Sequence, residues 1–328
     1  MSITAKDLEN ILDLDYDKEI EKITSGIREI LRKKLNRRGL VVAMSGGIDS
    51  SVSSALAVKA LGTKKVFGLL LPETDSSSFS TDRGTQLAEH LGIEYQLVNI
   101  APTLEAIGCY QWRDDAIRSV FPEYGDGWKN KIIITGGLEG QINHFKLVVE
   151  NPKGEQFTET LPLQEYLTIV AATNFKQRIR KTTEYFHGDR LNYAVVGTPN
   201  RLEYDQGFFV KGGDGLADVK PIAHLYKTQV YALARHMGLP EEICAAVPTT
   251  DTYSLSQGQD EFYFALPYHQ MDVALWCLNN NVPAATLAEY LGVKEEQAQF
   301  VYNDIQAKRK TTAYLHMNAQ LVEPVELV

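Results

Sequence analysis

The sequence has little of what marks secreted or membrane-spanning proteins. Its 328 residues include only three cysteines, Cys109, Cys244 and Cys277, which are widely separated and form no Cys-x-x-Cys pair. This spacing argues against a disulfide scaffold and against a zinc site. No apolar run approaches the length of a membrane span, and the N-terminus has no apolar signal segment. We therefore expect a protein of the reducing cytoplasm with no membrane partner.

Positive charge is also in deficit. The chain has 33 Lys and Arg against 42 Asp and Glu, a formal net charge of −9 with His neutral. A nucleic-acid-binding protein uses a basic face to displace the counterions of the phosphate backbone, so we expect no nucleic-acid partner. Hydrophobic residues make up 44% of the chain, enough to bury a large core. We expect a single domain over residues 1–328.

The most informative segment is residues 45–51, with the sequence Ser-Gly-Gly-Ile-Asp-Ser-Ser. The apolar run before it, 40–44, predicts a buried strand, and the Ala- and Leu-rich stretch after it, 52–61, predicts a helix. The two glycines allow a tight turn close to a ligand, and the amides at the start of a helix favour a bound phosphate. The serine hydroxyls add donors, and Asp49 can hold a divalent cation against the same phosphates.

This loop differs from the common phosphate-binding loops. It lacks the Gly-Lys-Ser/Thr of kinases and GTPases and the Gly-x-Gly-x-x-Gly of dinucleotide-binding folds. Its Ser-Gly-Gly-x-Asp-Ser form resembles the loop of the ATP pyrophosphatase superfamily. The resemblance implies cleavage of ATP between its α and β phosphates, with the departing pyrophosphate held in the loop. A lone Gly-Gly could be only a turn, but the whole pattern between a strand and a helix favours phosphate binding.

Strands and helices alternate over much of the chain. Further strands are predicted at 65–71, 94–99 and 191–196, and helices at 17–35 and 82–90. The alternation predicts an α/β fold with a doubly wound, Rossmann-like parallel sheet of the ATP pyrophosphatase type, covered by helices on both faces. Ligands of such sheets bind beyond the carboxyl ends of the strands. Ser45 and Thr198, which follow two of these strands, should therefore face one pocket.

Two segments depart from the alternation. Residues 122–165 contain β-rich runs joined by the turn sequence Asn-Pro-Lys-Gly at 151–154, which predicts an inserted antiparallel β-hairpin. We expect this insertion to be a lid or a dimer arm. The part from about 260 to 310 is predicted to be helical, with a helix-turn-helix pattern at 283–306. The acidic composition favours helix packing over DNA binding as the reason for that pattern.

The second half of the chain narrows the function. Residues 197–218 are dense in glycine and charged residues, which favours a binding loop after a strand. This segment resembles the signature of ammonia-dependent NAD synthetases: Gly-Thr, a Glu five residues after the Thr, then Gly-Phe-Phe-x-Lys-x-Gly-Asp-Gly-x-Ala-Asp. Motifs similar to others of that family occur at 174–180, 221–227, 248–249 and 307–309.

The resemblance implies an ATP-dependent amide ligase. The nicotinate carboxylate of nicotinic acid adenine dinucleotide takes the adenylyl group of ATP, pyrophosphate leaves, and ammonia converts the acyl adenylate into NAD and AMP. Mg²⁺ is the implied cofactor, ATP is a co-substrate, and a homodimer is expected. The segment before residue 45 is too short for the glutamine-hydrolysing domain of related enzymes, so the expected nitrogen donor is free ammonia, or ammonia supplied by a partner protein.

Residue-by-residue matches to the family imply three sets of site residues. ATP and its leaving group would be held by Ser45, Gly46, Gly47, Asp49, Ser50, Ser51, Thr198, Lys227 and Thr249. The dinucleotide substrate would be bound by Arg178, Lys211, Asp214, Asp218 and Lys308. Mg²⁺ would be held by Asp49 and Glu203. Catalysis is assigned to Asp49, Lys227 and Ser45, acting by positioning and charge neutralisation and not as nucleophiles.

The chain departs from the family at three places. Pro199-Asn200 replaces an Asp-His pair, Ala307 replaces a C-terminal His, and the segment 100–174 is longer than usual. We expect these departures to lie on the acceptor side and the ATP side to be intact. Two alternatives therefore stay open: an amidoligase for a different carboxylate, and a non-catalytic ATP-binding sensor. A sensor should have lost the metal-binding carboxylates or the lysine, and the chain keeps all of them.

Overall fold

A computed structural model describes residues 3–135, 144–246, 253–255 and 266–326. Its central sheet is made of β1 (Leu40–Ala43), β2 (Val66–Leu70), β3 (Glu94–Leu97) and β7 (Ala194–Val195). The strand order is β3-β2-β1-β7, and every pairing in this sheet is parallel. The carboxyl ends of the strands therefore meet at one edge, where the loops after β1 and β7 lie side by side.

Helices cover both faces of the parallel sheet. They are α1 (Tyr16–Glu29), α2 (Ile48–Leu61), α3 (Ser78–Leu91), α4 (Ala101–Ala106), α5 (Cys109–Arg118), α6 (Leu163–Leu191), α8 (Lys227–His236) and α9 (Glu241–Cys244). The short helix α7 (Arg201–Gln206) follows β7 and packs against the C-terminal helices instead. Leu40 and Val42 of β1 point into a core shared with α1, α2 and α8, whereas Val41 points into one shared with α4, α5 and α6. Successive side chains of a strand point to opposite faces, so β1 is buried on both sides. The predicted α/β, doubly wound class is confirmed.

The strand predicted at 191–196 is wrong at its start. Leu191 is the last residue of α6, and Asn192 ends that helix in the left-handed conformation with a φ of 56°. Asparagine tolerates this conformation better than most residues, so the helix runs on and turns only at this point. What remains for β7 is Ala194–Val195, directly beside β1.

The inserted segment forms an antiparallel sheet of its own, as predicted. β4 (Lys129–Thr135) pairs with β5 (His144–Glu150), and β5 pairs with β6 (Gln156–Thr160). The Asn151 side chain accepts hydrogen bonds from the amides of Lys153 and Glu155, at 2.9 and 3.0 Å, and so fixes the turn before β6. Buried side chains of this sheet pack against α5 and α6.

The C-terminal part is helical, which confirms the prediction for the described residues from 268 onward. It contains α10 (Tyr268–Asn279), α11 (Ala284–Leu291) and α12 (Glu295–His316), which share a core with a short 3₁₀ helix, Ala5–Asn10. Helix packing thus explains the helix-turn-helix pattern at 283–306. In the part of the chain that the structure describes, no helix has the length and apolarity needed to cross a membrane.

Candidate active site

A cavity of about 220 Å³ lies at the carboxyl ends of β1, β2 and β7. Ser45 and Ser50 form one part of its wall and Thr198 another, so the loops after β1 and β7 meet there, as the topology of the sheet predicts. The loop after β2, the start of α3 and one side of α6 close the rest of the wall.

The loop between β1 and α2 is held in shape by its own hydroxyl groups. The Ser45 Oγ lies 3.2 Å from the Ser50 Oγ and accepts a hydrogen bond from the Gly47 amide at 3.3 Å. The hydroxyls of Ser50 and Ser51 donate to the Gly47 carbonyl at 3.0 and 2.8 Å. Because Gly47 is the N-cap of α2, amides of the first helical turn have no intrahelical acceptor and, with the helix dipole, favour an anion.

Glycine is required at position 46. Its φ is +73°, and a Cβ there would lie 2.6 Å from the Ser80 carbonyl oxygen and 2.9 Å from the Arg83 Cβ. Arg83 therefore packs directly on the loop, and its buried Nε has no hydrogen-bond partner in the structure as described. Sequence reasoning missed this arginine, because nothing in the sequence indicates that the first turns of α3 touch the loop.

Asp49, Glu203 and Lys227 come together from three distant parts of the chain. The Lys227 Nζ makes an ion pair with Asp49 and lies 4.0 Å from the Glu203 Oε1. Burial by itself lowers the pKa of Lys227, whose side chain is only 2% exposed, but the charges of Asp49 and Glu203 outweigh burial and raise that pKa above its ordinary value. The lysine is therefore an ammonium ion at neutral pH.

Asn200 belongs to this cluster, which corrects the expectation that it lies on the acceptor side. Its Nδ2 donates to the Asp49 Oδ1 at 3.0 Å, and its Oδ1 accepts from the amides of Leu202 and Glu203 at 3.0 and 3.2 Å. Its own amide donates to the Glu203 Oε2 at 3.2 Å, which completes a capping box at the start of α7. The Asn-x-x-Glu spacing of 200–203 is the signal that could have located Asn200 beside Glu203.

The side chains of Asp49 and Glu203 form a donor set that suits Mg²⁺. Both carboxylates approach one ammonium group, so they already face a common point that carries positive charge. Mg²⁺ is commonly held by one or two carboxylates together with phosphate oxygens of a substrate. Within the described ranges no group of three potential metal-binding side chains occurs. Phosphate oxygens of a substrate would therefore be needed to complete the ligands of a metal ion held by these two carboxylates.

Arg178 and Lys211, two of the predicted dinucleotide-binding residues, are exposed and joined to each other through the backbone. The Arg178 Nε donates to the Lys211 carbonyl at 3.2 Å. The Lys211 Nζ donates to the carbonyls of Tyr314 and Met317, both at 2.7 Å, at the end of α12. These contacts fasten the loop after α7 to the C-terminal helix.

Asp214 and Asp218 are also engaged with the backbone. Asp214 lies in the cavity wall and accepts from the Val210 amide at 2.7 Å, and burial raises the pKa of its carboxyl group. Asp218 accepts from the Val195 amide at 2.8 Å, which ties it to β7. The structure thus brings Asp214 to the cavity together with Ser45, Ser50 and Thr198.

Lys308, on α12, forms an ion pair with Asp304 at 2.7 Å. Burial lowers the pKa of Lys308, and the charge of Asp304 partly opposes that effect. Thr249 lies outside the described residues, so the structure says nothing of its predicted contact with ATP.

Three charged residues of α6 line the cavity although none was predicted as a site residue. They are Arg180, Lys181 and Glu184. Lys181 and Glu184 form a buried ion pair at 2.6 Å, while Arg180 donates to the Leu71 carbonyl and to the Ser76 Oγ at 3.2 Å each. Nothing in the local sequence shows that this charged face of α6 lines a cavity, so sequence reasoning had no signal for these residues.

Comparison with known proteins gives consistent matches over most of the chain. A family model described as NAD synthase matches residues 19–119 and 142–312. The NH(3)-dependent NAD(+) synthetase of Rhizobium meliloti (strain 1021) is 57% identical over 316 residues, which cover 96% of this chain and 94% of that protein. The protein of the same name from Thermotoga neapolitana is 38% identical over 264 residues, covering 80% and 84%.

A solved structure has a similar fold. The NH3-dependent NAD synthetase from Campylobacter jejuni, in complex with the nitrate ion, aligns with a TM-score of 0.62 at 21% identity, covering 94% of this chain and all of that chain (100%). At 21% sequence identity the alignment shows only that the two proteins share a fold. The stretch 120–141, which the family model leaves unmatched, overlaps β4 of the inserted sheet.

Proposed function

The chain belongs to the NAD synthase family, and from this premise we propose that it makes NAD from nicotinic acid adenine dinucleotide, ATP and ammonia. In the first step an oxygen of the nicotinate carboxylate bonds to the α-phosphorus of ATP, and the bond from that phosphorus to pyrophosphate breaks. In the second, the nitrogen of ammonia bonds to the acyl carbon, the bond to AMP breaks and the nitrogen releases a proton. Relatives that are up to 57% identical are NH(3)-dependent NAD(+) synthetases, which supports ammonia as the nitrogen donor.

One observation carries the proposal: Glu203 and Lys227 lie beside Asp49 of the loop 45–51. Adenylyl transfer needs orientation and neutralisation of charge, and it needs no protein nucleophile. Lys227 stays protonated and can oppose the charge that grows on the departing pyrophosphate. The Ser45 hydroxyl contacts Ser50 and the Gly47 amide, and among the described residues no basic side chain is hydrogen-bonded to it, so its role is to donate a hydrogen bond to a phosphate oxygen.

The proposed ATP-binding residues fall into two groups: those whose polar groups can contact ATP, and those whose contacts within the protein shape the loop 45–51. Amides of the first turn of α2 and the hydroxyl of Ser45 can meet the outer phosphates, while Gly46 and Gly47 give the loop its shape. The Ser50 and Ser51 hydroxyls brace the Gly47 carbonyl. Thr198, on another part of the cavity wall, would also contact ATP. Thr249 keeps its proposed role from the family match alone.

Asp49 and Glu203 would hold Mg²⁺, which supplies additional neutralisation of phosphate charge when bound. Lys227, whose ammonium group lies beside both carboxylates, would be placed to turn towards a phosphate oxygen when they are engaged by Mg²⁺. Its long, flexible side chain permits this movement without a change in the backbone.

Arg178, Lys211, Asp214, Asp218 and Lys308 are the proposed contacts of the dinucleotide substrate. Arg178 and Lys211 supply positive charge for its phosphates, and an arginine can bind a phosphate through two parallel hydrogen bonds. Their exposure supports a site that a second protein surface completes, and we propose a homodimer. Large apolar side chains stand exposed on α5, α6 and β6, and burial of some of them by a second subunit would be favourable: Trp112, Phe157, Leu163, Leu167 and Phe186.

We also propose a cytoplasmic location. Cys109, Cys244 and Cys277 are all free and buried, and disulfide-free buried thiols suit a reducing compartment.

The direct test is incubation of the purified protein with ATP, Mg²⁺, ammonium and nicotinic acid adenine dinucleotide. We expect AMP, pyrophosphate and NAD in equal amounts. ATP turnover only with another carboxylic acid would instead support an amidoligase of different substrate. Binding of ATP without pyrophosphate release from any acid would support a sensor.

A further inference from the structure

Asn200 makes contacts with both carboxylates of the proposed Mg²⁺ site, and we infer that it is a positioning residue for that site. This inference rests on the proposed function, in which Asp49 and Glu203 hold Mg²⁺. The residue occupies a place where the family commonly has another side chain, so its role does not follow from the family match.

The two carboxylates are held by different parts of Asn200: Asp49 by the side-chain amide and Glu203 by the main-chain amide. Each has one oxygen bonded to Asn200 and the other turned towards Lys227. The Asn200 Nδ2 holds the Asp49 Oδ1 at 3.0 Å, and the Asn200 amide holds the Glu203 Oε2 at 3.2 Å. The Asp49 Oδ2 pairs with the Lys227 Nζ, and the Glu203 Oε1 lies 4.0 Å from the same nitrogen. Asn200 thereby aims one oxygen of each carboxylate at a common point.

Few side chains could do this. The Asn200 Oδ1 must accept from two backbone amides of α7, and the same side chain must donate to Asp49. The residue is only 1% exposed, so water cannot replace a lost partner without cost. An aspartate could accept from the amides but would set a second negative charge against Asp49. A serine or threonine hydroxyl also donates and accepts, but it has one oxygen for both tasks, whereas asparagine places its acceptor and its donor on separate atoms and can face the α7 amides and Asp49 together.

Groups behind metal ligands commonly change metal affinity when removed, since they fix the orientation of the ligands. We therefore expect the loss of the Asn200 Nδ2 donor to weaken metal binding more than it weakens the fold. Asn200→Ser is the suitable change, because serine is a good helix N-cap but too short to reach Asp49. A glycine N-cap costs little as well, so Asn200→Gly is the second variant should the serine protein fail to fold.

The experiment measures Mn²⁺ binding, in place of Mg²⁺, by electron paramagnetic resonance in the presence of α,β-methylene ATP. The midpoint of thermal unfolding is recorded for each protein without metal. Asn200→Ser should bind Mn²⁺ about 10- to 100-fold more weakly than the wild type, with little change in the unfolding midpoint. Asn151→Ser, which alters an asparagine that also accepts two backbone amides but lies in the turn before β6, is the matched control and should bind Mn²⁺ normally.

Asp49→Asn separates this inference from the proposed function. If Asp49→Asn loses Mn²⁺ while both Asn200 variants bind it as the wild type does, the metal site stands and the role of Asn200 is refuted. If Asp49→Asn itself binds Mn²⁺ normally, the proposed metal site is refuted, and the inference with it. Loss of affinity in an Asn200 variant that parallels an equal loss in Asn151→Ser would also overturn the inference, because a general loss of stability would then explain both.

Discussion

The proposed ATP side and the proposed acceptor side of the site are built in different ways. On the ATP side, Asn200 and Lys227 are buried. Asp49 and Glu203 each accept a hydrogen bond from Asn200 and each face the Lys227 ammonium group. On the acceptor side, three of the five residues, Arg178, Lys211 and Asp218, are exposed, and their contacts are largely with backbone groups. The other two, Asp214 and Lys308, are partly buried. The ATP-side residues are held in position by contacts within one chain. The exposed acceptor-side residues fasten the loop after α7 to the C-terminal helix and keep one side open to solvent.

This difference indicates where binding requires little rearrangement. Ordered, buried groups lose little entropy when a ligand arrives, and their charges act across a space with little water. Exposed charged groups are removed from water in this way only when another protein surface covers them. We therefore expect changes on the ATP side to affect the chemical step, and changes on the acceptor side to affect mainly the binding of the dinucleotide.

The largest effect is expected for Asp49→Asn. The change removes the charge of one proposed metal ligand but keeps its shape, and Glu203 remains near Lys227, so the protein should fold. The rate of AMP formation should fall about 10²- to 10³-fold, the size seen when a group that stabilises a transition state is lost. The exposed substitution Asp126→Asn is the control. Activity within a few fold of the wild type would remove Asp49 from the proposed metal site.

A smaller effect, confined to one substrate, is expected for Arg178→Gln. Loss of a charge-assisted hydrogen bond to phosphate costs about 1.5–3 kcal/mol, so the KM for nicotinic acid adenine dinucleotide should rise about 10- to 100-fold. The KM for ATP should stay unchanged, which steady-state kinetics with each substrate varied in turn can test. Arg118→Gln, on the surface of α5, is the control. An equal rise in both KM values would show that the two sides do not differ as described.

Gly46→Ala should distort the loop 45–51. The new Cβ would sit in a positive-φ backbone and meet the Ser80 carbonyl at 2.6 Å, so we expect a loss of stability of about 1–3 kcal/mol. The KM for ATP should rise as the loop shifts. Gly62→Ala is a matched control, because Gly62 has a φ of +80° but no atom within 4 Å of its Cβ. If Gly62→Ala raises the KM for ATP as much as Gly46→Ala does, the strain of a positive-φ backbone explains the rise, and the shape of the loop 45–51 does not.

The smallest effect concerns pH. Asp272 accepts hydrogen bonds from the Lys227 and Thr228 amides at the start of α8, and burial raises its pKa to about 7. An unfolded aspartate has a pKa near 4, so the folded protein binds the extra proton between these values. Its contribution to stability is therefore full below about pH 4 and is lost as the pH rises to about 7. The difference in unfolding free energy between wild type and Asp272→Asn, measured by denaturant titration at several pH values, should change over this range and be constant above it.

A flat difference across pH 4–7 would contradict the raised pKa of Asp272. It would not test the ion pair of the Lys227 Nζ with Asp49, which is a contact between other atoms. The comparison of the two sides would then rest on the three substitutions above.

Sequence reasoning succeeded where the chemistry is local. The loop 45–51 follows from the glycine and serine pattern between a strand and a helix, and the parallel sheet follows from alternating elements. It failed for Asn200, because the partner that explains this residue, Asp49, lies 151 positions away in the chain. Arg180 and its neighbours on α6 were missed for a similar reason: nothing local indicates that a charged helix face lines a cavity.

The most direct measurement is a crystal structure of the protein with α,β-methylene ATP and Mg²⁺. We predict the outer phosphates against the amides of residues 45–51, the metal ion on Asp49 and Glu203, and the Lys227 Nζ within hydrogen-bond distance of a phosphate oxygen. A triphosphate bound elsewhere, with Lys227 still paired to Asp49 and no metal between the carboxylates, would contradict the account.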